Sequence, residues 1–214
     1  MKKSNIKIQK KEIKKTKELR KKKIAEKNIK NAEKKQKVRP FVIAITGTPG
    51  TGKTTLAKKL YEKLSKKVKV KLMLQDELLE KTESVLYYDK KYDSNIVDVY
   101  IMRKNFSKYI KSKELANTDI ILVDSHLSYE LNPDLVIVTK CDLKELRMRL
   151  EKRGYNEEKI KDNLQAEIFD VCMQDSLAKN LESYYYWASR RKNQYFNALK
   201  FKEILSLIYK KLLH

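Results

Sequence analysis

Nine consecutive residues, Gly47-Thr48-Pro49-Gly50-Thr51-Gly52-Lys53-Thr54-Thr55, contain three of the chain's four glycines and spell G-x-x-x-x-G-K-[ST] in full. Glycine allows positive φ and lets the backbone approach a ligand closely. Successive backbone N–H groups at the start of a helix form a nest for an anion. The lysine after the last glycine reaches the β- and γ-phosphates of a nucleotide, and the next hydroxyl binds Mg²⁺. Gly47, Gly50, Gly52, Lys53, Thr54 and Thr55 are therefore the candidate nucleotide-binding residues, with ATP and Mg²⁺ as the expected ligands.

Further candidates lie downstream. Ile120-Ile121-Leu122-Val123 is an apolar run that ends in Asp124. An acid there can hold Mg²⁺ through water, with Thr54 as the other metal-side residue. The plainer reading, a strand-end turn residue, stands beside it. His126 follows two residues later and reads either as part of the catalytic site or as structural. The segment Arg147-x-Arg149-Leu-x-x-Arg153-Gly154 offers arginines for clamping phosphates, the competing reading being a charged helix end.

These residues need elements to position them. Phe41–Ile45 is a continuous apolar run suited to a buried parallel strand. Leu56, Leu60 and Leu64 give the following helix an apolar face. A third strand is expected at 134–138, and Asp142 is a good N-cap for a helix over Leu143–Lys152. Asn156–Lys179 reads as one helix with Ile160, Leu164, Ile168, Phe169 and Cys172 on its apolar side. Ser183–Ser189 reads as the fifth strand, its Tyr184–Trp187 cluster being core strand or, alternatively, a base-stacking surface. Leu199–Leu213 makes a final helix. Strands that alternate with helices predict a three-layer α/β fold with a parallel five-stranded sheet, and a nucleotide at the strands' C-terminal ends.

The chain has 214 residues and a net charge of +22, from 50 Lys+Arg against 28 Asp+Glu. Residues 1–39 carry net +14 of that excess, and Val38-Arg39-Pro40 marks the expected boundary between a basic, flexible or helical extension (1–39) and a P-loop domain (40–214). The extension has no Gly, Pro or aromatic residue and too few apolar ones to fold alone. Two readings stay open: electrostatic contact with rRNA or the ribosome, or a solubilising tail from a Lys-rich codon bias, the chain having 42 Lys and 8 Arg. Cys141 and Cys172 form no C-x-x-C pair, which excludes a disulfide scaffold and a Cys-based zinc site, and Cys141 reads as a packed thiol. No stretch approaches 18 apolar residues, and the charged N-terminus lacks the apolar core of a secretory signal. No membrane partner and a cytoplasmic location are expected, or a nuclear one in a eukaryote.

Three segments together carry a family resemblance: Gly47–Thr55, Val123-Asp124-Ser125-His126, and the run from Leu150 to Val171 (LEKRGYNEEKIKDNLQAEIFDV). Over Phe41–Met173 the chain resembles the adenylate kinase isoenzyme 6 family of archaea and eukaryotes, with Asp-Ser-His-Leu-Ser nearest the archaeal branch. The resemblance implies a P-loop nucleoside monophosphate kinase fold, adenylate kinase activity with broad nucleotide specificity, and ATPase activity. It also implies a role in small-ribosomal-subunit maturation with ribosomal protein uS11. It places ATP contacts on Gly50, Gly52, Lys53, Thr54, Thr55 and Arg153, and a lid at about Lys152–Asp162. A segment for AMP or another monophosphate falls at about Leu74–Val97, with Asp76, Lys81 and Asp93 as its candidate residues. One departure stands out. The family has an Arg shortly after the position of Asp76; here the run is Glu77-Leu78-Leu79-Glu80-Lys81, and Lys81 is a point charge without Arg's bidentate fork. Arg190 and Arg191 fall at the family's adenine-side loop. The expected chemistry is phosphoryl transfer from ATP to AMP, with ATP hydrolysis where water is the acceptor; a P-loop kinase for another small molecule, or a pure assembly ATPase with weak AMP use, is the alternative.

Overall fold

A computed structural model describes residues 39–188 and 194–212, without the side chains of 194–200. The extension up to residue 38, Arg190 and Arg191, Ser189 at the end of the expected fifth strand, and Leu213 all lie outside the described residues. The described residues belong to one unit beginning at Arg39.

The main sheet has five strands in the order β2-β5-β1-β6-β7, every pair parallel. They are β1 (Phe41–Thr46), β2 (Val70–Leu74), β5 (Ile120–Asp124), β6 (Leu135–Lys140) and β7 (Ser183–Trp187). β1 is central, flanked by β5 and β6, which is why its residues from Val42 onward are buried on both faces. Between β2 and β5 the chain adds an antiparallel hairpin, β3 (Val85–Asp89) with β4 (Ser94–Val97). Seven helices are described: α1 (Lys53–Leu64), α2 (Gln75–Thr82), α3 (Val99–Tyr109), α4 (Leu143–Lys152), α5 (Glu157–Ile168), α6 (Val171–Ala178) and α7 (Gln194–Leu212).

Alternation along β1 divides the core into layers. Ile43 and Ile45 face one side, where Leu56, Leu60 and Leu64 of α1 and Ile204 and Ile208 of α7 cover them. Val42 faces the other side, with Met73, Leu78 of α2, and Met102 and Phe106 of α3. Ala44 on that same face packs with Val136, Val138 and Met173 of α6. Each buried Leu, Ile or Phe contributes about 1.5–3 kcal/mol from removal of apolar surface from water. The expected three-layer α/β fold with a parallel five-stranded sheet is the observed one.

Local signals set several ends. The Asp142 side chain caps α4, accepting from the N–H groups of Lys144 and Glu145 at 3.0 and 3.2 Å. Asn156 caps α5 in the same way, accepting from the Lys159 N–H at 2.8 Å.

Two expectations need correction. The single helix over Asn156–Lys179 is two helices, α5 and α6, broken at Asp170, whose φ is +55°. The break takes Ile168 and Phe169 off an apolar face and leaves them 59% and 70% exposed. In β7, Tyr186 is the core residue; Tyr184, Tyr185 and Trp187 stay 37–43% exposed, because β7 is an edge strand paired on one side with β6.

Candidate active site

The phosphate-loop motif spans the turn from β1 to α1, at the C-terminal ends of the parallel strands. Its glycines are obligatory. Gly47, Gly50 and Gly52 have φ of +136°, +94° and +98°. A Cβ on Gly47 would lie 2.5 Å from the Thr139 carbonyl oxygen, and one on Gly50 would lie 2.9 Å from Leu146 Cδ1. Gly52 begins α1 with no side-chain cap, and no acid occupies the first turn. The first-turn N–H groups therefore face the cleft with the positive end of the helix dipole.

Lys53 Nζ donates to the carbonyls of Gly47 (2.9 Å) and Thr48 (3.2 Å). It lies at the cleft floor, and desolvation there pushes its pKa down to about 8 against the attraction of Asp124. Thr54 Oγ1 donates to Asp124 Oδ2 at 2.6 Å. Asp124 ends β5 at 5% exposure, and burial raises its pKa, opposed by Thr54 and Lys53. Among the described residues no group of three His, Cys, Asp or Glu could hold a metal by itself. A hydroxyl paired with one carboxylate is a donor set that suits Mg²⁺, which keeps waters and takes phosphate oxygens as its other ligands. The glycine cradle and this pair thus fit a Mg-nucleotide.

His126 lies in the cleft wall, its Nδ1 3.0 Å from Gln75 Oε1. Burial, with a contribution from Lys53, holds its pKa down to about 4, so the ring is neutral at pH 7. Its backbone carbonyl accepts from Thr46 Oγ1 at 2.9 Å, which ties the β5 exit to β1.

A cleft of about 2020 Å³ joins these groups, lined by Gly47, Gly50, Gly52, Lys53, Thr54, Thr55, Asp124, His126, Arg153 and Asp93. Arg153 ends α4; Gly154, with φ +75°, turns the chain, and α5 begins with Glu157. This is the segment expected as the lid, and it meets the β3–β4 hairpin across the cleft mouth. Lys159 Nζ donates to the Asp93 carbonyl at 3.0 Å, and Lys91 pairs with Glu158 at 3.0 Å. Asp93 also accepts from the Tyr88 hydroxyl.

Two candidates are not brought to the cleft. Asp76 is exposed and does not line it. Lys81 pairs with Glu114 at 3.4 Å and lies over the Tyr109 ring, 5.5 Å from its centre. Gln75 and Leu79 occupy that wall instead. α2 begins at Gln75, so Gln75 and Leu79 are four residues apart on one face, and Asp76 and Lys81 fall on others. Arg149 backs the loop: it donates to the Gly50 carbonyl at 2.9 Å and pairs with Glu145 at 2.5 Å. The sequence held a signal for Gln75, a polar residue directly at the β2–α2 turn, and none for Arg149's choice of a carbonyl over a phosphate. Cys141 is buried, its pKa pushed up to about 11 by desolvation.

Known proteins match this sequence. A family model described as AAA domain matches residues 43–170. A Methanococcus maripaludis protein named "Putative adenylate kinase" is 40% identical over 144 residues, 67% of this chain and 76% of that one. Proteins of the same name from Methanocaldococcus jannaschii (41% over 140 residues, 65% and 74%) and Pyrococcus furiosus (40% over 137, 64% and 69%) match similarly. The chain belongs to this adenylate-kinase-like P-loop family. The family match covers the phosphate loop, Asp124, the segment expected as the lid, and α5. As a member, the protein is a nucleotide kinase of the P-loop type.

Proposed function

We propose that the protein is an adenylate kinase, catalysing Mg²⁺-dependent ATP + AMP → 2 ADP. The observation that carries the reading is the Thr54–Asp124 contact of 2.6 Å beside Lys53, in one cleft with the glycines of the phosphate loop. Phosphoryl transfer needs in-line positioning and neutralisation of charge on the equatorial oxygens. Mg²⁺, which Thr54 and Asp124 would hold, would supply part of that charge. Lys53 would leave its carbonyl partners for the phosphates, since a charge-assisted bond to an anion is stronger than one to a neutral carbonyl. Arg153 would reach in from the end of α4; its guanidinium has no hydrogen-bond or ion-pair partner among the described residues. Neutral His126, oriented by Gln75, offers a hydrogen bond without a fixed charge. The lid segment, fastened to the hairpin through Lys159 and Lys91, limits entry of water.

One observation favours a second activity, ATP hydrolysis. From the segment expected to hold the monophosphate, Gln75, Leu79, Asp93 and Asn95 are among the residues that line the cleft and no Lys or Arg of that segment does, while Lys81 is turned to Glu114. With no cationic fork there, capture of AMP is weak and water becomes the competing acceptor. A P-loop kinase for another small molecule would show itself in a screen of acceptors. The family resemblance and the +14 extension support a further role in small-ribosomal-subunit and rRNA maturation, with uS11 as a protein partner and rRNA held through residues 1–39.

A coupled assay decides between acceptors. AMP-dependent ADP formation exceeding AMP-independent phosphate release supports the kinase; phosphate release unaffected by AMP rejects it in favour of the ATPase. Repeating both with and without small-subunit rRNA and uS11 tests the ribosomal role, which predicts stimulation.

A further inference from the structure

The loop's shape is pinned from behind. The Thr48 carbonyl accepts from Thr51 N–H (3.2 Å), Thr51 Oγ1 (2.8 Å) and Lys53 Nζ (3.2 Å). The Thr48 hydroxyl donates to Glu167 Oε2 at 2.6 Å. Both residues are buried, 4% and 5% exposed. The other oxygen of Glu167 accepts from the Cys141 N–H at 3.1 Å and pairs with Lys140 Nζ at 3.3 Å. Lys140 also donates to the Glu167 backbone carbonyl at 2.8 Å and to Asp170 Oδ1 at 3.1 Å.

A carboxylate directly behind an anion-binding loop works against phosphate binding and is costly to bury unless paired and hydrogen-bonded. Lys140 supplies the counter-charge, and the remaining lone pairs are spent on Thr48 and Cys141. What this arrangement provides is direction. A charge-assisted bond fixes the Thr48 rotamer, and with it the residue whose carbonyl gathers three donors of the loop.

We propose that Glu167 is a positioning residue: through the Thr48 hydroxyl it holds the phosphate loop in its binding shape and fastens that loop to α5, the helix that leaves the lid. Glu167 is one residue from the end of α5, while Lys159, Asp162 and Asn163 toward its start line the cleft. At about 1.5 Å rise per residue, some 12 Å of rigid helix joins the lid side of the cleft to the loop's anchor. The loop and the lid therefore share one support. A loop held in shape before the nucleotide arrives loses less entropy on binding. The inference rests on the reading of this loop as the phosphate site.

The test is ADP affinity by titration calorimetry on the full chain, with steady-state ATP turnover and melting curves, all measured well below each variant's melting temperature. Thr48→Val is nearly isosteric and removes one donor. ADP affinity should fall about tenfold and KM for ATP rise in step, with kcat within about threefold, as loss of one buried bond to a charged acceptor predicts. Thr48→Ser keeps the hydroxyl and should restore affinity to within about threefold. Glu167→Asp keeps the charge for Lys140 but falls a methylene short of Thr48. It should reproduce the Thr48→Val loss, and the double variant should be no worse than either single. If Glu167→Asp does not fold, the two Thr48 variants decide alone. ADP affinity of Thr48→Val within twofold of wild type overturns the proposal, as do losses that add in the double variant or a failure of Thr48→Ser to rescue. A wild-type protein that does not bind ADP overturns the nucleotide reading together with this one; a wild type that binds, beside an unaffected Thr48→Val, overturns the positioning role alone.

Discussion

Lys53 combines two roles that can be separated by substitution and by pH. Its charge is held at the cleft floor by carbonyl oxygens and by the proximity of Asp124, and the proposed function needs it when phosphates are present. Lys53→Met should therefore abolish both phosphoryl transfer and ATP hydrolysis while leaving the far-ultraviolet spectrum unchanged; transfer surviving within tenfold would show the site to be misassigned. The depressed pKa adds a pH test. As pH rises through about 8 the free protein loses this charge, so ADP affinity should fall between pH 7 and 9. The unfolded chain keeps its proton to the ordinary lysine value, so over that interval it binds more protons than the fold does. The group's contribution to stability then rises with pH, so deprotonation of Lys53 lowers affinity without destabilising the fold. Calorimetric titration beside urea unfolding at each pH checks both signs. Asp124→Asn keeps an acceptor for the Thr54 hydroxyl but removes the charge on the metal side. Mg²⁺-dependent turnover should drop by more than nucleotide affinity does, and equal losses would make Asp124 a structural residue.

Among the elements, the phosphate loop and the turn that ends α4 both depend on glycine, for different reasons. Gly47 is enclosed by β6: an added Cβ meets the Thr139 carbonyl at 2.5 Å and its hydroxyl at 2.6 Å, so the strand or the loop must move. Gly154 has a positive φ but nothing within 4 Å of where a Cβ would be. Gly154→Ala should cost only the left-handed strain of about 1–2 kcal/mol, while Gly47→Ala should cost more and weaken nucleotide binding as well. Urea midpoints with ADP titrations compare the two; equal destabilisation would mean that the clash at Gly47 relaxes freely. The break between α5 and α6 also has a cause within this layer. Lys140 draws the Glu167 carbonyl and the Asp170 carboxylate to one ammonium, which turns the chain at Asp170 rather than letting one helix continue.

For the whole molecule, the dominant feature is the division of charge. Residues 1–39 carry +14 of the +22, and Arg39, the last of them, is fastened to Asp134 at the edge of β6 by bonds of 2.8 and 2.6 Å. Deleting residues 2–38 spares that pair. It should leave ATP turnover within a few-fold and lower affinity for structured RNA or small-subunit particles. Contacts made to phosphates release counterions, so the truncated protein should also show a flatter dependence of binding on salt. Filter binding across a salt series measures this. Equal affinity of the two proteins at moderate salt would reduce the extension to a solubilising tail, and loss of ATP turnover would place it within the kinase unit.

What the sequence determined by itself is what short-range physics enforces. The phosphate loop was legible because three glycines at fixed spacing satisfy a backbone requirement that other residues resist. The continuous apolar runs at 41–45 and 120–123 suited buried parallel strands, and Asp142 announced the start of α4 because its carboxylate reaches its own helix's N–H groups. Tertiary structure alone decided which polar side chains face the cleft. Asp76 and Gln75 are neighbours, yet the orientation of α2 on Met73 and Met102 turns Gln75 inward and leaves Asp76 in solvent. Lys81 found Glu114, 33 residues away, rather than a substrate phosphate. Arg149 met the Gly50 carbonyl across 99 residues, and Thr48 met Glu167 across 119. No local pattern encodes such pairs: a long charged side chain can reach many partners, and the choice among them is made by the packing of helices whose apolar faces, not whose charges, fix where they lie.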